Sequence, residues 1–420
     1  MQYPKLLLIT SEDAFTTQSS ASFTIRSFLR DWPSGCIFQI VCGDFNLGKE
    51  GFIRDDCFVL GHKSIRVASW TIKAARTGKS TLSTGQVRNL YVSDSLKTVV
   101  MNFVKGIYQL LPYKVPSTLE EALKFFRPDI IYSSVVDYRG IVFTNYISKK
   151  FAIPAMPHFM DDWPTIYLNS RGQGWQKKVF EKQLEHLFET SPYYFCICDY
   201  MSETYKKRYG NPNAVSLMNS VTSHTTTKSK KENNSKRWLY AGSLYLKRYD
   251  SLIRVADALT KLGRVEDTIV VFCPKNQWEE MSPSFQDYPQ IEYGGFISQE
   301  ELLYNIVNVD YLLFIETFDE EMLSFTRYSM STKIPEYLSS GNPIIAVGNP
   351  EQGSIRYLVD NKAAYVATSS DMIQDEISAL VNGKDIQDIL NNAHQLFAKN
   401  HTQEAQISKF AGIVNSVLQK

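Results

Sequence analysis

Lys333 and Glu336 stand three residues apart in Ser331-Thr-Lys-Ile-Pro-Glu-Tyr-Leu-Ser-Ser-Gly341. On a helix that spacing puts both side chains on one face. The segment reads as a helix that starts near Ser331 and Thr332 and stops at Gly341. Apolar strands at 311–315 and 343–347 flank it, with a polar loop after the first, so the whole is a βαβ unit. A helix start attracts phosphate through its free N–H groups and dipole, and Lys333 adds a full positive charge there. Glu336 can accept two hydrogen bonds from a diol such as a ribose. Together they would grip the diphosphate and the ribose of a nucleotide.

Three further segments carry candidate chemistry. In Ala241-Gly-Ser-Leu-Tyr-Leu-Lys-Arg248, Gly242 and Ser243 end a strand, and Lys247 and Arg248 follow at the next helix. Glycine there admits backbone close to a ligand, and a cation at a helix entrance neutralises phosphate oxygens. Basic residues at helix starts are also common in purely structural settings. In Ile291-Glu-Tyr-Gly-Gly-Phe-Ile-Ser298, Gly294 and Gly295 permit a tight turn, and Phe296 with Ile297 could press an aromatic base against backbone groups. An ordinary strand-to-helix turn, with Ser298 as N-cap and Glu301 closing a capping box, is compatible with that reading. In the first half, Pro157-His-Phe-Met-Asp-Asp-Trp-Pro164 is the densest polar cluster at a strand end. His158 could contact a sugar or shift a proton, and Asp161 with Asp162 could steer an acceptor hydroxyl. A metal at this cluster and a structural turn capped by Asp161 are the competing readings. GxGxxG, GxxxxGK[ST] and GxSxG are all absent, so the dinucleotide, P-loop and nucleophile-elbow signatures are missing.

The elements that must position these residues alternate. In the first half, strands are expected at 5–10, 37–43, 58–61, 129–135, 154–159 and 193–199. Helices are expected near 23–32, 119–126, 140–151, 175–189 and 202–209. After a polar stretch at 222–237, rich in Ser, Thr, Lys and Asn, the alternation restarts at 238 and runs to a helical tail beyond 372. The expected architecture is therefore α/β: two Rossmann-like parallel-sheet domains facing across a cleft. Their expected bounds are 1–221, a linker at 222–237, and 238–400. A last helix at 401–420 would pack back on the first domain.

Length and composition agree. The 420 residues suit two or three domains, and 44% hydrophobic with 21% charged residues is ordinary for a globular chain. A net charge of +1 lends no support to a nucleic-acid partner. The six cysteines lie mostly in or beside apolar strand-like runs and read as buried free thiols, with Cys196 and Cys198 on one side of a strand. The start of the chain reads as a first strand rather than a signal peptide, and no apolar run approaches a membrane span. Residues 61–115 carry nine Lys or Arg and one acid, Asp94, so the rest of the chain is net acidic. That asymmetry suits peripheral contact with an anionic membrane. A solvated basic face is the other reading. The acidic run Asp319-Glu-Glu321 reads as a solvated loop.

These residues make the chain resemble a glycosyltransferase of the GT-B fold, closest to the GT4 group, most strongly over residues 236–370. Ser331 to Pro343 is similar to that family's nucleotide-sugar helix and its Gly-x-Pro turn. The resemblance implies that Glu336 holds the ribose and that the helix start, with Ser331, Thr332 and Lys333, faces the diphosphate. Gly242-Ser243 with Lys247 and Arg248 resembles the family's phosphate-binding loop, with Ser243 where the family usually has Arg. Tyr328 stands where the family usually has a glutamate. His158 followed by Asp161 resembles the family's His–Asp stretch. The resemblance further implies a retaining transfer from a nucleotide-sugar donor to a hydroxyl of a saccharide or lipid-linked saccharide. It implies no metal and no cofactor, a cytoplasmic setting, and a role in surface polysaccharide synthesis. Two other functions fit the same pieces: a nucleotide-sugar epimerase, which would convert donor without acceptor, and a non-catalytic nucleotide-binding subunit lacking the carboxylate at position 328.

Overall fold

The computed structural model describes residues 3–17, 19–42, 50–61, 115–170, 174–222 and 235–419. Nearly all of the basic stretch at 61–115 and most of the polar stretch at 222–237 lie outside the described residues. The chain divides into two compact units, Met1–Leu217 with Ile407–Lys420, and Met218–Gln406.

The first unit is built on one eight-stranded sheet. Its strands are β1 (Leu6–Thr10), β2 (Ile37–Val41), β3 (Gly51–Arg54), β4 (Cys57–Val59), β5 (Ile130–Ser134), β6 (Ala155–Phe159), β7 (Tyr194–Cys196) and β8 (Ala214–Ser216). They lie in the order β3-β4-β2-β1-β5-β6-β7-β8. All neighbours pair in parallel except β3 with β4, a short antiparallel edge that sequence periodicity did not reveal. β1, Leu-Leu-Leu-Ile-Thr, is buried at every residue, as an interior parallel strand covered on both faces must be. Helices α1 (Ser20–Leu29), α2 (Ser117–Phe126), α3 (Tyr138–Phe151), α4 (Trp163–Ser170), α5 (Trp175–Thr190) and α6 (Asp199–Tyr209) connect the strands. Local signals set their ends: Ser19 and Asp137 cap α1 and α3 through their side chains, and α6 stops at Gly210 in the left-handed region. Cys198 is the N-cap of α6 rather than a strand residue beside Cys196. Five of the six cysteines are buried, and none of the six is in a disulfide.

The second unit has a six-stranded, wholly parallel sheet. Its strands are β9 (Arg237–Ala241), β10 (Thr268–Phe272), β11 (Ile291–Gly295), β12 (Tyr311–Ile315), β13 (Ile344–Val347) and β14 (Tyr365–Ala367). The order is β11-β10-β9-β12-β13-β14. This is the doubly wound order in which the direction of winding reverses between the first and fourth strands, here β9 and β12. The helices are α7 (Arg248–Lys261), α8 (Lys275–Met281), α9 (Gln299–Asn308), α10 (Glu320–Thr326), α11 (Lys333–Ser339), α12 (Gly353–Asp360), α13 (Ile373–Val381) and α14 (Ile386–Asn400). The run Asp319-Glu-Glu321 is not a solvated loop. Asp319 caps α10 by accepting from the Glu321 and Met322 backbone N–H groups, and the two glutamates fill the first turn, where the helix dipole favours acids.

A final helix, α15 (Gln403–Leu418), carries Phe410, Val414 and Val417 into the core of the first unit. The Phe410 ring lies 4.8 Å from Phe28 and 5.8 Å from Tyr132. Burying each such side chain is worth about 1.5–3 kcal/mol, enough to hold this stretch in place without an ion pair. Among the described residues, no helix is long and apolar enough to cross a membrane.

Candidate functional site

In a parallel sheet every strand ends at the same edge, so the loops after β9, β12 and β13 come together. In open α/β sheets ligands bind at that edge, at the reversal of winding. The loop after β9 begins at Gly242. A side chain there would meet the Tyr240 hydroxyl at 2.9 Å, so only glycine fits without displacement. The Tyr240 hydroxyl donates to the Ser243 carbonyl at 2.6 Å, and the buried Gln277 takes hydrogen bonds from Ser243 Oγ and the Leu244 N–H, both at 2.9 Å. Ser243 therefore serves its own loop. Leu246 and Lys247 both adopt left-handed backbone, a conformation costly for non-glycine residues, which turns the chain sharply into α7.

Two ion pairs cross the point where the winding reverses. Arg248, the first residue of α7, forks onto Glu316, the residue after β12. Its Nε donates to Oε2 at 2.9 Å and its Nη2 to Oε1 at 2.8 Å. Glu316 is only 6% exposed. Burial works against the Arg248 charge, but the Glu316 carboxylate outweighs it and holds the guanidinium pKa above its usual value. Lys247 makes a single, more exposed contact with Asp319.

Lys333 and Glu336 open α11. Glu336 is 3% exposed, and its Oε2 accepts from Lys333 Nζ at 2.9 Å. Its Oε1 accepts from Gln299 Nε2, at the start of α9, at 2.5 Å. The next residue, Tyr337, accepts from the Ala241 N–H at 3.1 Å, which ties α11 to the end of β9. This bond links the two segments singled out in the sequence, 241–248 and 331–341. Ser331 is spent locally: its Oγ takes the Lys333 N–H at 3.2 Å. Thr332 is the N-cap of α11 but makes no side-chain cap. Gly295, at φ +99°, makes the turn that leads through Phe296 and Ile297 into α9, and Ser298 and Glu301 form the capping box. Phe296 is 76% exposed. Ile297 lines a cavity of about 560 Å³ with Arg237, Val270, Phe272, Glu292 and Tyr304, but Lys333, Glu336 and Arg248 take no part in it.

The first-unit candidates separate. His158 lies inside β6 at 2% exposure, with Nδ1 2.7 Å from the Tyr132 hydroxyl and the Phe28, Tyr132 and Phe195 rings around it. Burial drives its pKa down to about 3. The imidazole is thus enclosed, and its burial favours the neutral form at ordinary pH. Asp161 is exposed just beyond the strand. Asp162, 8% exposed, accepts from Tyr205 at 2.6 Å, Arg208 at 3.0 Å and Thr165 at 3.0 Å. Among the described residues, no group of three or more His, Cys, Asp or Glu side chains is arranged to hold a metal ion.

Glu316, Gln277, Gln299 and Tyr337 were not singled out from the sequence. Glu316 had one signal, a charge ending an apolar strand; the two glutamines and the tyrosine had none.

No family model matches the chain, and no curated protein matches it. Solved structures do. Sucrose-phosphate synthase from Thermosynechococcus elongatus superposes with a TM-score of 0.64 at 8% identity over 99% of both chains. Trehalose 6-phosphate synthase from Burkholderia multivorans gives 0.62 at 10% identity, over 100% of this chain and 98% of that one. HepE of Anabaena, in complex with UDP, gives 0.60 at 12% identity, over 98% of this chain and 100% of that one. The chain has the fold of these proteins, the two-domain GT-B architecture of glycosyltransferases.

Proposed function

We propose that the chain is a glycosyltransferase that takes a sugar from a nucleotide-sugar donor and places it on a hydroxyl of a saccharide or lipid-linked saccharide. The observation that carries this is the buried Glu336, paired with Lys333 and Gln299 and tied through Tyr337 to the phosphate-loop candidate after β9. A buried carboxylate at a strand-end site suits a ribose diol, which replaces neutral or cationic donors with two hydroxyls. The exposed Phe296 and the half-buried Ile297, just before Gln299, would supply apolar contacts to a base joined to that ribose. Lys333, Arg248 and Lys247 supply the cations for the diphosphate. Support for a nucleotide donor also comes from HepE, which has been solved with UDP and with UDP-glucose.

In the reaction, the bond between the sugar's anomeric carbon and the diphosphate oxygen breaks with its electrons going to the diphosphate. The acceptor oxygen bonds to the same carbon and gives its proton to the departing diphosphate oxygen, so the step balances without a further reactant. The transition state is oxocarbenium-like, and negative charge grows on the diphosphate. Lys333 and Arg248, fixed in place beforehand, lower that barrier by stabilising the charge where it develops. Transfer with retention and without a metal, acceptor binding by the first domain with Asp161 as a contact, a role in surface polysaccharide synthesis and peripheral membrane attachment through 61–115 complete the proposal.

The test is nucleotide binding. A thermal-shift screen with UDP, GDP and ADP and their sugars should stabilise the chain with at least one. Glu336→Ala and Lys333→Ala should each weaken that ligand about tenfold or more, since a hydrogen bond to a charged group is worth about 1.5–3 kcal/mol. Unchanged affinity in both variants would refute the donor site.

A further inference from the structure

We propose that Glu316 is a positioning residue that presets the Arg248 guanidinium for the donor's diphosphate, an inference that rests on the donor-site reading above. Three observations meet at this residue. It follows β12, so its pair with Arg248 spans the reversal of winding between β9 and β12, the place where such sheets bind ligands. The pair is bidentate and nearly enclosed, with side-chain exposures of 18% for Arg248 and 8% for Glu316. The fork uses one N–H from Nε and one from Nη2, so the other donors of the guanidinium's five remain for another acceptor.

Carboxylate and phosphate both accept from a planar guanidinium, and they can do so on different edges of it. Glu316 would hold one edge and present the rest. A long arginine side chain loses about 2 kcal/mol of rotamer freedom when a ligand must immobilise it. With Glu316 in place, that ordering is complete in the folded protein before the donor arrives. Gln352 does not substitute for the fork, because its amide reaches Glu316 only at 3.5 Å and bonds instead to Thr326 at 2.8 Å.

The opposite role makes the opposite forecast. If Glu316 merely occupied Arg248 and competed with phosphate, removing its charge would strengthen diphosphate binding. The experiment compares the unsubstituted chain with Glu316→Gln by calorimetry. The probes are whichever of UDP, GDP and ADP stabilises the chain most, and the corresponding nucleoside. The glutamine amide turns an N–H toward the guanidinium and breaks the fork. Diphosphate affinity should fall about tenfold, and nucleoside affinity should not change. Unchanged or tighter diphosphate binding would overturn the proposal, as would an equal loss for the nucleoside. Where Glu316→Gln does not fold, Glu316→Asp keeps the charge but shortens the reach, and should show the same split. In an Arg248→Met background, Glu316→Gln should have no further effect on diphosphate affinity. A loss that persists there would mean that Glu316 touches the ligand itself. If none of the three nucleotides binds the unsubstituted chain, the donor reading fails as well; if one binds but ignores Glu316→Gln, only this inference fails.

Discussion

Gln299 donates to Glu336 across 37 residues of sequence at 2.5 Å. This bond holds the start of α9 against the start of α11, and with it the turn that carries Phe296 and Ile297. In the proposed donor site it would fix the spacing between the base and the ribose.

Gln299→Ala removes this spacer. Gln299 is exposed, so the loss should be near the low end for a bond to a charged acceptor, about 1.5 kcal/mol or roughly tenfold in affinity. A nucleoside and its diphosphate should lose equally, because the bond governs the nucleoside end. Calorimetry with both ligands checks this, and a loss confined to the diphosphate would contradict it.

His158 makes a prediction about pH. Its ordinary pKa of 6.5 falls to about 3 in the folded chain through burial, against a weaker opposing contact with the Leu217 backbone. Between those values the unfolded chain binds the proton and the folded chain does not. Stability therefore drops as pH falls from about 6.5 toward 3, and this contribution is constant above that window. Melting temperature against pH should show a shallower acid decline in His158→Gln than in the unsubstituted chain. Transfer rate should show no inflection from this imidazole near its ordinary pKa of 6.5.

The neighbouring aspartates should part company. Asp162→Ala leaves the buried Tyr205 hydroxyl and the part-exposed Arg208 without their shared acceptor, at a cost of about 1–3 kcal/mol. Asp161→Ala, at an exposed position, should change stability by less than about 1 kcal/mol. If Asp161 contacts the acceptor, that substitution lowers transfer while leaving nucleotide binding intact. Denaturant melts and a transfer assay separate the two residues.

Gly242→Ala places a methyl 2.9 Å from the Tyr240 hydroxyl, whose hydrogen bond to Ser243 shapes the loop. Overpacking of this kind costs about 1–3 kcal/mol. The loop must shift to relieve it, so diphosphate affinity should fall along with melting temperature. A variant that melts as before and binds as before would show that the loop shape is irrelevant to the ligand.

Most strands and most helices were legible because their signals are local; the short edge strands β3 and β8, and β11, were not. Val, Ile and Leu runs of five residues, punctuated by Gly, Pro and capping residues, mark an interior parallel strand wherever the chain meets its neighbours. Short helices such as α4, α8 and α10 escaped, because seven or eight residues hold too few turns for a periodicity to emerge. Asp319 shows the difficulty: an acidic triplet reads as a solvated loop until its carboxylate is seen accepting backbone N–H groups.

From residue types and spacing alone came the α/β architecture, the placement of Lys333 and Glu336 on one helical face, and the loop at Gly242. Each depends on neighbours within a few positions. Only tertiary structure decided that Glu316 faces Arg248, that Gln299 meets Glu336, and that His158 lies sealed among aromatic rings. Those outcomes follow from which strands become adjacent and which face of each is covered. A carboxylate at the end of β12 becomes a partner for α7 because β12 pairs with β9, and a histidine in β6 loses its proton because both faces of its sheet are buried.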